Sequence, residues 1–267
     1  MAYGSYVVMH DINAQIKRGS VFVIMGNSGS GKSTLLRHML GLQRPAQGDV
    51  LYDGTSFWGM DEGARGAQLR KYGVLFQSGA LWSSMTLEEN VALPLIEYTD
   101  WSASDRKDIV QLKLALVGLS GFEDYYPAEI SGGMRKRAGL ARAMALDPEI
   151  LFFDEPSAGL DPISSSNLDQ LILELRDGLG ATVVVVTHEL ASIFTIADDS
   201  LFLDADSRTM RAQGNPKELL EHSTDAKLRA FLTRGASSAE TAARCLVFRH
   251  RGLSRRWNRV SRPSSGS

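Results

Sequence analysis

Three features are scarce in this sequence of 267 residues, and each absence narrows the class of protein. A single cysteine, Cys245, excludes an internal disulfide framework. Uninterrupted apolar runs stay at strand length, as in residues 183–186, well short of the roughly 18–20 apolar residues that cross a bilayer. Residues 1–6 lack the basic and apolar regions of a signal peptide. We therefore expect other chains to supply any membrane-spanning segments.

Strong charge of either sign is also lacking. The net charge is −2, with 43% hydrophobic and 22% charged residues, which is ordinary for a folded protein. Such a balance gives no general affinity for nucleic acid, and we expect no nucleic-acid partner. The length suits one large α/β domain or two small ones.

One stretch near the start of the chain fits the phosphate-binding pattern G-x-x-x-x-G-K-[ST]. The apolar run 21–25 before it predicts a buried strand, and residues 34–40 after it predict a helix closed by Gly41. Glycines let backbone N–H groups turn inward around a phosphate, and the helix N-terminus adds the positive end of its dipole. The residues of this predicted phosphate loop are Gly26, Asn27, Ser28, Gly29, Ser30, Gly31, Lys32, Ser33 and Thr34. The pattern predicts a nucleoside triphosphate site.

Strands alternate with helices along the chain, which predicts a mainly parallel sheet with helices on its faces. Short strands are expected at residues 12–16 and 150–153, and helices at 104–117 and 162–179. A helix from Thr86 is expected to be interrupted by Pro94. The helix over 104–117 is expected to bury one apolar side, formed by Ile109, Leu112, Leu116 and Val117.

Polar side chains follow directly after several predicted strands. Asp154 and Glu155 end a buried run, a position where a phosphate-loop protein needs a carboxylate for Mg²⁺ and a second one to polarise an attacking water. His188 follows the strand 182–186 and is placed to contact a γ-phosphate. Gln77 follows another strand; a single glutamine there indicates no function, and only its place among these residues makes it a candidate. Ligands of such sheets bind at the carboxyl ends of the strands, so these residues can converge.

A second glycine-rich helix N-terminus occurs at Ser131, Gly132 and Gly133, ahead of a basic helix. It is a second anion-binding device. Spacing alone leaves three options: it faces the same phosphate, another ligand, or a neighbouring subunit.

This ordered set of motifs resembles the ATPase subunit of ABC transporters over about residues 1–235. The phosphate loop is similar to Walker A, Gln77 to the Q-loop, residues 131–133 to the signature, residues 154–155 to Walker B with its catalytic glutamate, residues 157–161 to the D-loop, and His188 to the switch histidine. The resemblance implies an α/β P-loop NTPase fold of the ABC type. That fold has a mainly parallel sheet with flanking helices, an antiparallel β subdomain and a helical subdomain at about 78–146.

The resemblance also implies ATP and Mg²⁺ as ligands and a role for each residue. Lys32 would bind phosphates, Ser33 and Asp154 would hold Mg²⁺, Gln77 would contact the metal, and Glu155 would activate water.

Further roles follow from the dimeric architecture of the family. His188 would clamp the γ-phosphate, and Tyr3 would stack on adenine. Two copies of the chain would close head-to-tail, so that the signature of one copy completes the Walker A site of the other, with Asp161 near the same interface. Met134 stands where the family usually has glutamine, and we expect altered contacts there with activity retained.

A narrower resemblance lies in residues 75–91, which are similar to the ATPases of Mce/Mla-type bacterial phospholipid transporters. It implies a subunit that hydrolyses ATP to maintain outer-membrane lipid asymmetry, held at the cytoplasmic face of the inner membrane. The implied partners are a second copy of the chain, two permease subunits, an Mce-domain substrate-binding protein and often a small STAS-domain protein.

Two other functions were considered, and the role of one segment stays open. An importer ATPase for another small solute is the main alternative, although residues 75–91 differ from such importers. A non-transport ABC protein of repair or translation would carry a long coiled-coil insertion or a second such domain, and neither is present. Residues 236–267 are rich in arginine, which predicts either a solvated tail or a basic arm that docks on a partner chain or on anionic lipid.

Overall fold

The computed structural model of the protein describes residues 1–3 and 6–234. The Tyr3 side chain and the arginine-rich segment 236–267 lie outside this described part, so the predictions made for them stay predictions. Within it, no helix combines the length and the apolar character needed to cross a membrane.

The strands of the described chain form one large sheet and two small ones. In chain order they are β1 Ala2–Tyr3, β2 Tyr6–Val7, β3 Val21–Gly26, β4 Leu51–Tyr52, β5 Thr55–Ser56, β6 Tyr72–Leu75, β7 Ile150–Asp154, β8 Thr182–Val186, β9 Asp199–Asp204 and β10 Thr209–Gly214. The six-stranded sheet has the order β10-β9-β3-β8-β7-β6 and is parallel except for the β9/β10 pair. The pairs β1/β2 and β4/β5 are antiparallel. The predicted α/β class, with a mainly parallel sheet and a small antiparallel sheet, is confirmed.

Helices cover both faces of the large sheet. They are α1 Lys32–Met39, α2 Glu62–Leu69, α3 Leu87–Tyr98, α4 Ala103–Leu116, α5 Gly132–Ala143, α6 Pro162–Leu179, α7 Leu190–Ile196, α8 Pro216–His222 and α9 Ala226–Leu232, with a 3₁₀ turn at Pro127–Glu129. Helices α3, α4 and α5 pack on one another, and α5 also packs on β6. Helix α7 was not predicted from the sequence; it is short, and its N-cap residue Glu189 makes no capping hydrogen bond.

The central strands are buried on both faces because each face carries a hydrophobic core. In β3, Phe22 and Ile24 belong to the core on the α1 side, together with Leu36. Val21 and Val23 of the same strand belong to the larger core on the other side. The side-chain period of two in a strand accounts for this alternation, and burial on both faces accounts for the continuous apolar run in the sequence.

Two local predictions are wrong. Residues 12–16 form no strand; instead the Gln213 side chain on β10 bonds to this segment, accepting from Gln15 N at 3.3 Å and donating to Gln15 O at 2.7 Å. Helix α3 continues through Pro94 to Tyr98. Its buried residues, Val91 and Leu95, are 0% exposed on either side of the proline, and this packing outweighs the loss of one backbone donor.

The predicted core face of α4 is half right: Val117 is buried and Ile109 packs against the core, but the other two residues are not part of it. Leu112 and Leu116 are 52% and 46% exposed, whereas Val110 and Leu114 are fully buried. Lys113 accounts for the difference, because its aliphatic stem occupies a core position while its ammonium group pairs with Asp147. A lysine at a buried position is invisible to a pattern that counts it as polar.

Candidate active site

Three adjacent strands bring the predicted functional residues to one edge of the large sheet. Strand β8 lies between β3 and β7. Beyond the regular ladder, Glu155 N donates to Val186 O at 2.8 Å and Thr187 N donates to Ile24 O at 3.2 Å. The phosphate loop after β3, the carboxylates at the end of β7 and the histidine after β8 therefore share one edge.

Two glycines shape the phosphate loop, residues 26–34. Gly26 has φ 153°, and a Cβ there would lie 2.4 Å from the carbonyl oxygen of Leu203. Gly31 is the N-cap of α1 with φ 84°, and a Cβ there would lie 2.8 Å from Cγ of Met9. Among the described residues, no side chain caps α1 at this end. The first N–H groups of the helix are thus available to an anionic ligand.

Lys32 points back into this loop. The residue is 8% exposed, and its Nζ donates to the carbonyl oxygens of Gly26 and Asn27, both at 3.0 Å. Burial lowers the pKa of the Lys32 ammonium group, while the nearby Glu155 and Asp154 carboxylates act in the opposite direction. An ammonium group held in this loop by two carbonyl oxygens is suited to bind phosphate oxygens.

Ser33 and Asp154 meet across the sheet edge. The Ser33 hydroxyl donates to Asp154 Oδ1 at 3.1 Å. Burial raises the pKa of Asp154; the Ser33 hydrogen bond lowers it, and the charge of Glu155 raises it further. Mg²⁺ prefers hard oxygen ligands and usually takes one or two carboxylates besides substrate phosphates. The convergent hydroxyl and carboxylate oxygens fit that ion.

Glu155 and His188 form the second polar pair of this edge. His188 Nδ1 lies 2.8 Å from Glu155 Oε1, with the histidine side chain 59% and the glutamate side chain 14% exposed. The other oxygen, Oε2, is buried and has no hydrogen-bond partner within the described part of the chain. Glu155 also has φ 50°, a left-handed conformation that is costly for a non-glycine residue and is common at functional sites. A buried carboxylate oxygen with unused acceptor capacity can accept a proton from water.

Gln77 lies farther along the sheet edge. It follows β6, which is separated from β3 by β7 and β8, and its side chain is exposed. The structure therefore brings Lys32, Ser33, Asp154, Glu155 and His188 together, and it leaves Gln77 at the outer strand.

The glycine-rich N-terminus at residues 131–133 opens onto a different part of the surface. Ser131 caps α5 by accepting from Met134 N at 3.2 Å, and Ser131 and Gly132 are exposed. A Cβ on Gly132 or Gly133 would meet only ordinary contacts, at 3.7 and 3.8 Å. A cavity of about 160 Å³ adjoins it, and its lining contains no residue of the phosphate loop: Ser131, Gly133, Met134, Lys136, Arg137, Leu160, Ser164, Asn167 and Leu168.

Asp161 caps the next helix, α6. Its Oδ1 accepts from the backbone N–H groups of Ile163 and Ser164, both at 3.0 Å. The Ser164 hydroxyl hydrogen bond is the main cause of the lowered pKa of Asp161. In this chain the carboxylate is engaged by its own helix, close to the cavity beside residues 131–133.

Two basic residues that the sequence analysis did not single out also reach the site. The buried Lys136 donates from Nζ to the carbonyl oxygen of Pro156, directly after Glu155, at 2.6 Å. The guanidinium group of Arg234, after α9, donates to Asn27 Oδ1 of the phosphate loop. No pattern in the sequence distinguishes either residue from the other lysines and arginines, because only the packing of distant segments brings them here.

Comparison with known proteins agrees with this geometry. The sequence profile of the ABC transporter family matches residues 9–158. The chain belongs to that family, and its fold is that of the ABC ATPases.

Two curated relatives and one solved structure illustrate the similarity. The probable ribonucleotide transport ATP-binding protein mkl of Mycobacterium tuberculosis is 43% identical over 231 residues, 86% of this chain and 64% of the relative, so this chain spans under two thirds of that protein. The intermembrane phospholipid transport system ATP-binding protein MlaF of Escherichia coli is 41% identical over 86% of this chain and 84% of MlaF. A dimeric post-hydrolysis structure of the ATP-binding cassette MJ0796 with ADP and Pi aligns with a TM-score of 0.69 and 31% identity, covering 78% of this chain and 90% of that one.

Proposed function

We propose that this chain is the ATP-hydrolysing subunit of a bacterial phospholipid transporter of the Mla type, which maintains outer-membrane lipid asymmetry. The observation that carries the catalytic part is the pairing of Ser33 with Asp154 and of His188 with Glu155 at one sheet edge, beside the buried Lys32. These are the groups that phosphoryl transfer to water requires: a phosphate clamp, a metal site and a base.

In this proposal each side chain has one task in an in-line attack of water on the γ-phosphate. Glu155 accepts the proton of the attacking water through its buried Oε2. Lys32 binds the phosphates, and His188, held by Glu155, contacts the γ-phosphate. Ser33 and Asp154 would hold Mg²⁺, with Gln77 approaching it from the outer strand. When bound, that ion neutralises charge that develops on the phosphate oxygens.

The proposed active unit is a dimer of this chain. Residues 131–133 of one copy would complete the phosphate loop of the other, with Asp161 close to the junction. The exposure of Ser131 and Gly132, and a neighbouring cavity that contains no residue of the phosphate loop, support this proposal. The dimeric state of the similar MJ0796 cassette supports it as well. Tyr3 would stack on the adenine.

The proposed substrate is phospholipid, because MlaF, named for intermembrane phospholipid transport, is similar over 84% of its length. Within the segment 75–91, Phe76 and Trp82 are 41% and 61% exposed and so accessible to another chain. We assign residues 78–146 to a helical subdomain that faces two permease subunits at the cytoplasmic face of the inner membrane. An Mce-domain protein and a small STAS-domain protein would complete the complex.

Transport of a small solute, with ribonucleotides as the candidate, is the second proposal. Its support is the 43% identity to mkl, named as a probable ribonucleotide transport protein. That match covers 64% of mkl, so the remaining third of the relative has no counterpart in this alignment.

Purification of the chain with its bound subunits from native membranes tests both proposals. We expect mass spectrometry to find a permease, an Mce-domain protein and co-purifying phospholipid, and we expect phospholipid vesicles to stimulate ATP hydrolysis. Stimulation by ribonucleoside monophosphates with no effect of phospholipid would favour the second proposal. Recovery of the chain as a monomer without a membrane partner would contradict both.

A further inference from the structure

A buried lysine on α5 connects the two halves of the proposed site within one chain. Lys136 is 6% exposed, and its Nζ donates to the carbonyl oxygens of Pro156, at 2.6 Å, and Ala158. Both carbonyls belong to the turn that follows β7. A buried carbonyl oxygen needs a hydrogen-bond donor, and here the ammonium group takes the place of the water that these oxygens would otherwise bind.

That turn carries Glu155 at its start and Asp161 at its end. It is a chain of short-range hydrogen bonds: Ala158 N donates to Glu155 O at 3.2 Å, and Leu160 N donates to Ser157 O at 3.0 Å. Glu155 itself has the left-handed φ of 50°. A carboxylate on a strained residue depends on the segment next to it for its orientation.

The same turn lies beside the start of α5, where Leu160 and Gly133 line one cavity. A Cβ on Gly133 would lie 3.8 Å from Cδ2 of Leu160 and 3.8 Å from the Ser164 hydroxyl oxygen. Leu160 in turn packs against the larger core. Helix α5 therefore lies next to Leu160 near its first residues and is hydrogen-bonded to the turn one helical turn later through Lys136.

We propose that Lys136 is a positioning residue, which transmits the placement of residues 131–133 to the carboxylate of Glu155 through the Pro156 and Ala158 carbonyls. The proposal rests on the function proposed above for Glu155 and for the residues 131–133. A helix moves as a rigid body, so a ligand that draws its N-terminus inward also draws the Lys136 ammonium group and the turn that it holds. When a partner binds residues 131–133, α5 would thus orient the Glu155 carboxylate for proton transfer.

The test compares Lys136→Met and Lys136→Arg in the full chain. Methionine retains the apolar stem and removes the donor, whereas arginine retains the charge and the N–H groups. We expect Lys136→Met to lower kcat for ATP about 10- to 100-fold with KM within about 2-fold, because the phosphate loop is untouched. Lys136→Arg should restore most of the lost kcat.

Lys113→Met is a matched control. Lys113 is an equally buried lysine on α4, but its partner is Asp147, away from the Glu155 turn. We expect this variant to lower the melting temperature and to keep kcat. An equal loss of kcat in both methionine variants would mean general destabilisation and would overturn the proposal, as would a wild-type kcat in Lys136→Met.

Hydrogen exchange gives a readout that does not depend on hydrolysis. The amides of Ala158 and Leu160 should exchange about 10-fold faster in Lys136→Met and unchanged in Lys113→Met. Unchanged exchange in Lys136→Met would contradict the positioning role. A wild-type protein without ATPase activity would refute the proposed function, and the exchange experiment would still decide the role of Lys136.

Discussion

The phosphate loop, residues 26–34, and the glycine-rich start of α5, residues 131–133, are both helix N-termini suited to anions, and we call them the first and the second cradle. They are built differently. In the phosphate loop, the protein's own packing demands glycine, since a Cβ on Gly26 would strike the Leu203 carbonyl. At Gly132 and Gly133 a Cβ would meet nothing closer than 3.7 Å. The packing of this chain therefore does not explain why both positions of the second cradle are glycine.

The chemistry of the two cradles differs in the same way. The phosphate loop is surrounded by a buried lysine, two carboxylates and a histidine. The start of α5 offers backbone donors and the Ser131 hydroxyl, and Asp161, close to the adjoining cavity, is engaged in capping α6. One cradle has the groups for a reaction and the other has groups that bind, which is the asymmetry that the proposed dimer predicts.

We expect the largest effect from Glu155→Gln, which separates ATP hydrolysis from ATP binding. Glu155→Gln keeps the shape of the side chain and removes the base, so we expect ATP turnover to fall about 10²- to 10⁴-fold while ATP still binds. Phosphate release and equilibrium binding measure the two quantities. Glu149→Gln, at the opposite end of β7, is the control, because the exposed Glu149 pairs with Lys71 and Arg18. Turnover near the wild-type rate in Glu155→Gln would refute the assignment of the base.

Lys32→Ala tests the binding function of the phosphate loop. A hydrogen-bonded buried charge is removed, so we expect affinity for ATP to fall about 10- to 100-fold. Lys71→Ala is the control, since an exposed ion pair contributes little. An unchanged dissociation constant in Lys32→Ala would show that the nucleotide binds elsewhere.

Mixing two inactive variants tests whether the cradles come from different copies. Lys32→Ala disables one cradle and Gly133→Asp the other, the latter by placing a carboxylate where a phosphate would bind. An aspartate is favourable in the first turn of a helix, so α5 should still form. In a two-fold symmetric dimer, an equal mixture rebuilds one intact site in each heterodimer, and we expect about a quarter of wild-type ATPase activity. A mixture as inactive as its parts would place both cradles of a site in one chain.

The smallest expected effect lies outside both cradles and concerns stability. The Ser192 hydroxyl donates to Asp169 Oδ2 at 2.9 Å in the buried contact of α6 with α7. Burial raises the pKa of Asp169 to about 6; the Ser192 hydrogen bond lowers it, and the charge of Glu189 raises it. Because the pKa of Asp169 is higher in the folded than in the unfolded state, the contribution of this residue to stability is greatest below about pH 4 and is lost as the pH rises to about 6.

Asp169→Asn removes this titration while it keeps an acceptor for Ser192. We expect a gain in unfolding free energy on the order of 2 kcal/mol at pH 7.5 and a smaller gain at pH 5. Thermal unfolding at the two pH values measures it. Asp177→Asn, an exposed position on the same helix, should change stability by less than about 0.5 kcal/mol. An equal gain at both pH values would contradict the raised pKa.

Parts of the fold with a strong local pattern agree with their prediction. Helix α6 begins at Pro162 after the capping residue Asp161 and ends at Leu179 before Gly180, and strand β8 spans Thr182–Val186 as expected. Where tertiary packing competes with local preference, prediction is wrong. Pro94 stays within α3 because Val91 and Leu95 are buried on both sides of it. Leu112 faces outward because a lysine next to it takes the core position.

The same division applies to the site. Each strand-end residue was predictable, because a buried apolar run followed by a polar residue marks the carboxyl end of a parallel strand. Lys136 and Arg234 were not predictable, since their partners Pro156 and Asn27 lie far away in the chain.

By itself the sequence determined the class of this protein: a phosphate loop, a carboxylate pair, a histidine and a second glycine-rich helix start, in an order that belongs to ABC-type ATPases. Local patterns suffice for this, because each motif is a short stretch with its own backbone requirement. Only the tertiary structure decided which groups meet: that Ser33 pairs with Asp154, that Glu155 pairs with His188, and that Lys136 joins α5 to the Glu155 turn. Such contacts depend on strand order and helix packing, which no single stretch of sequence encodes.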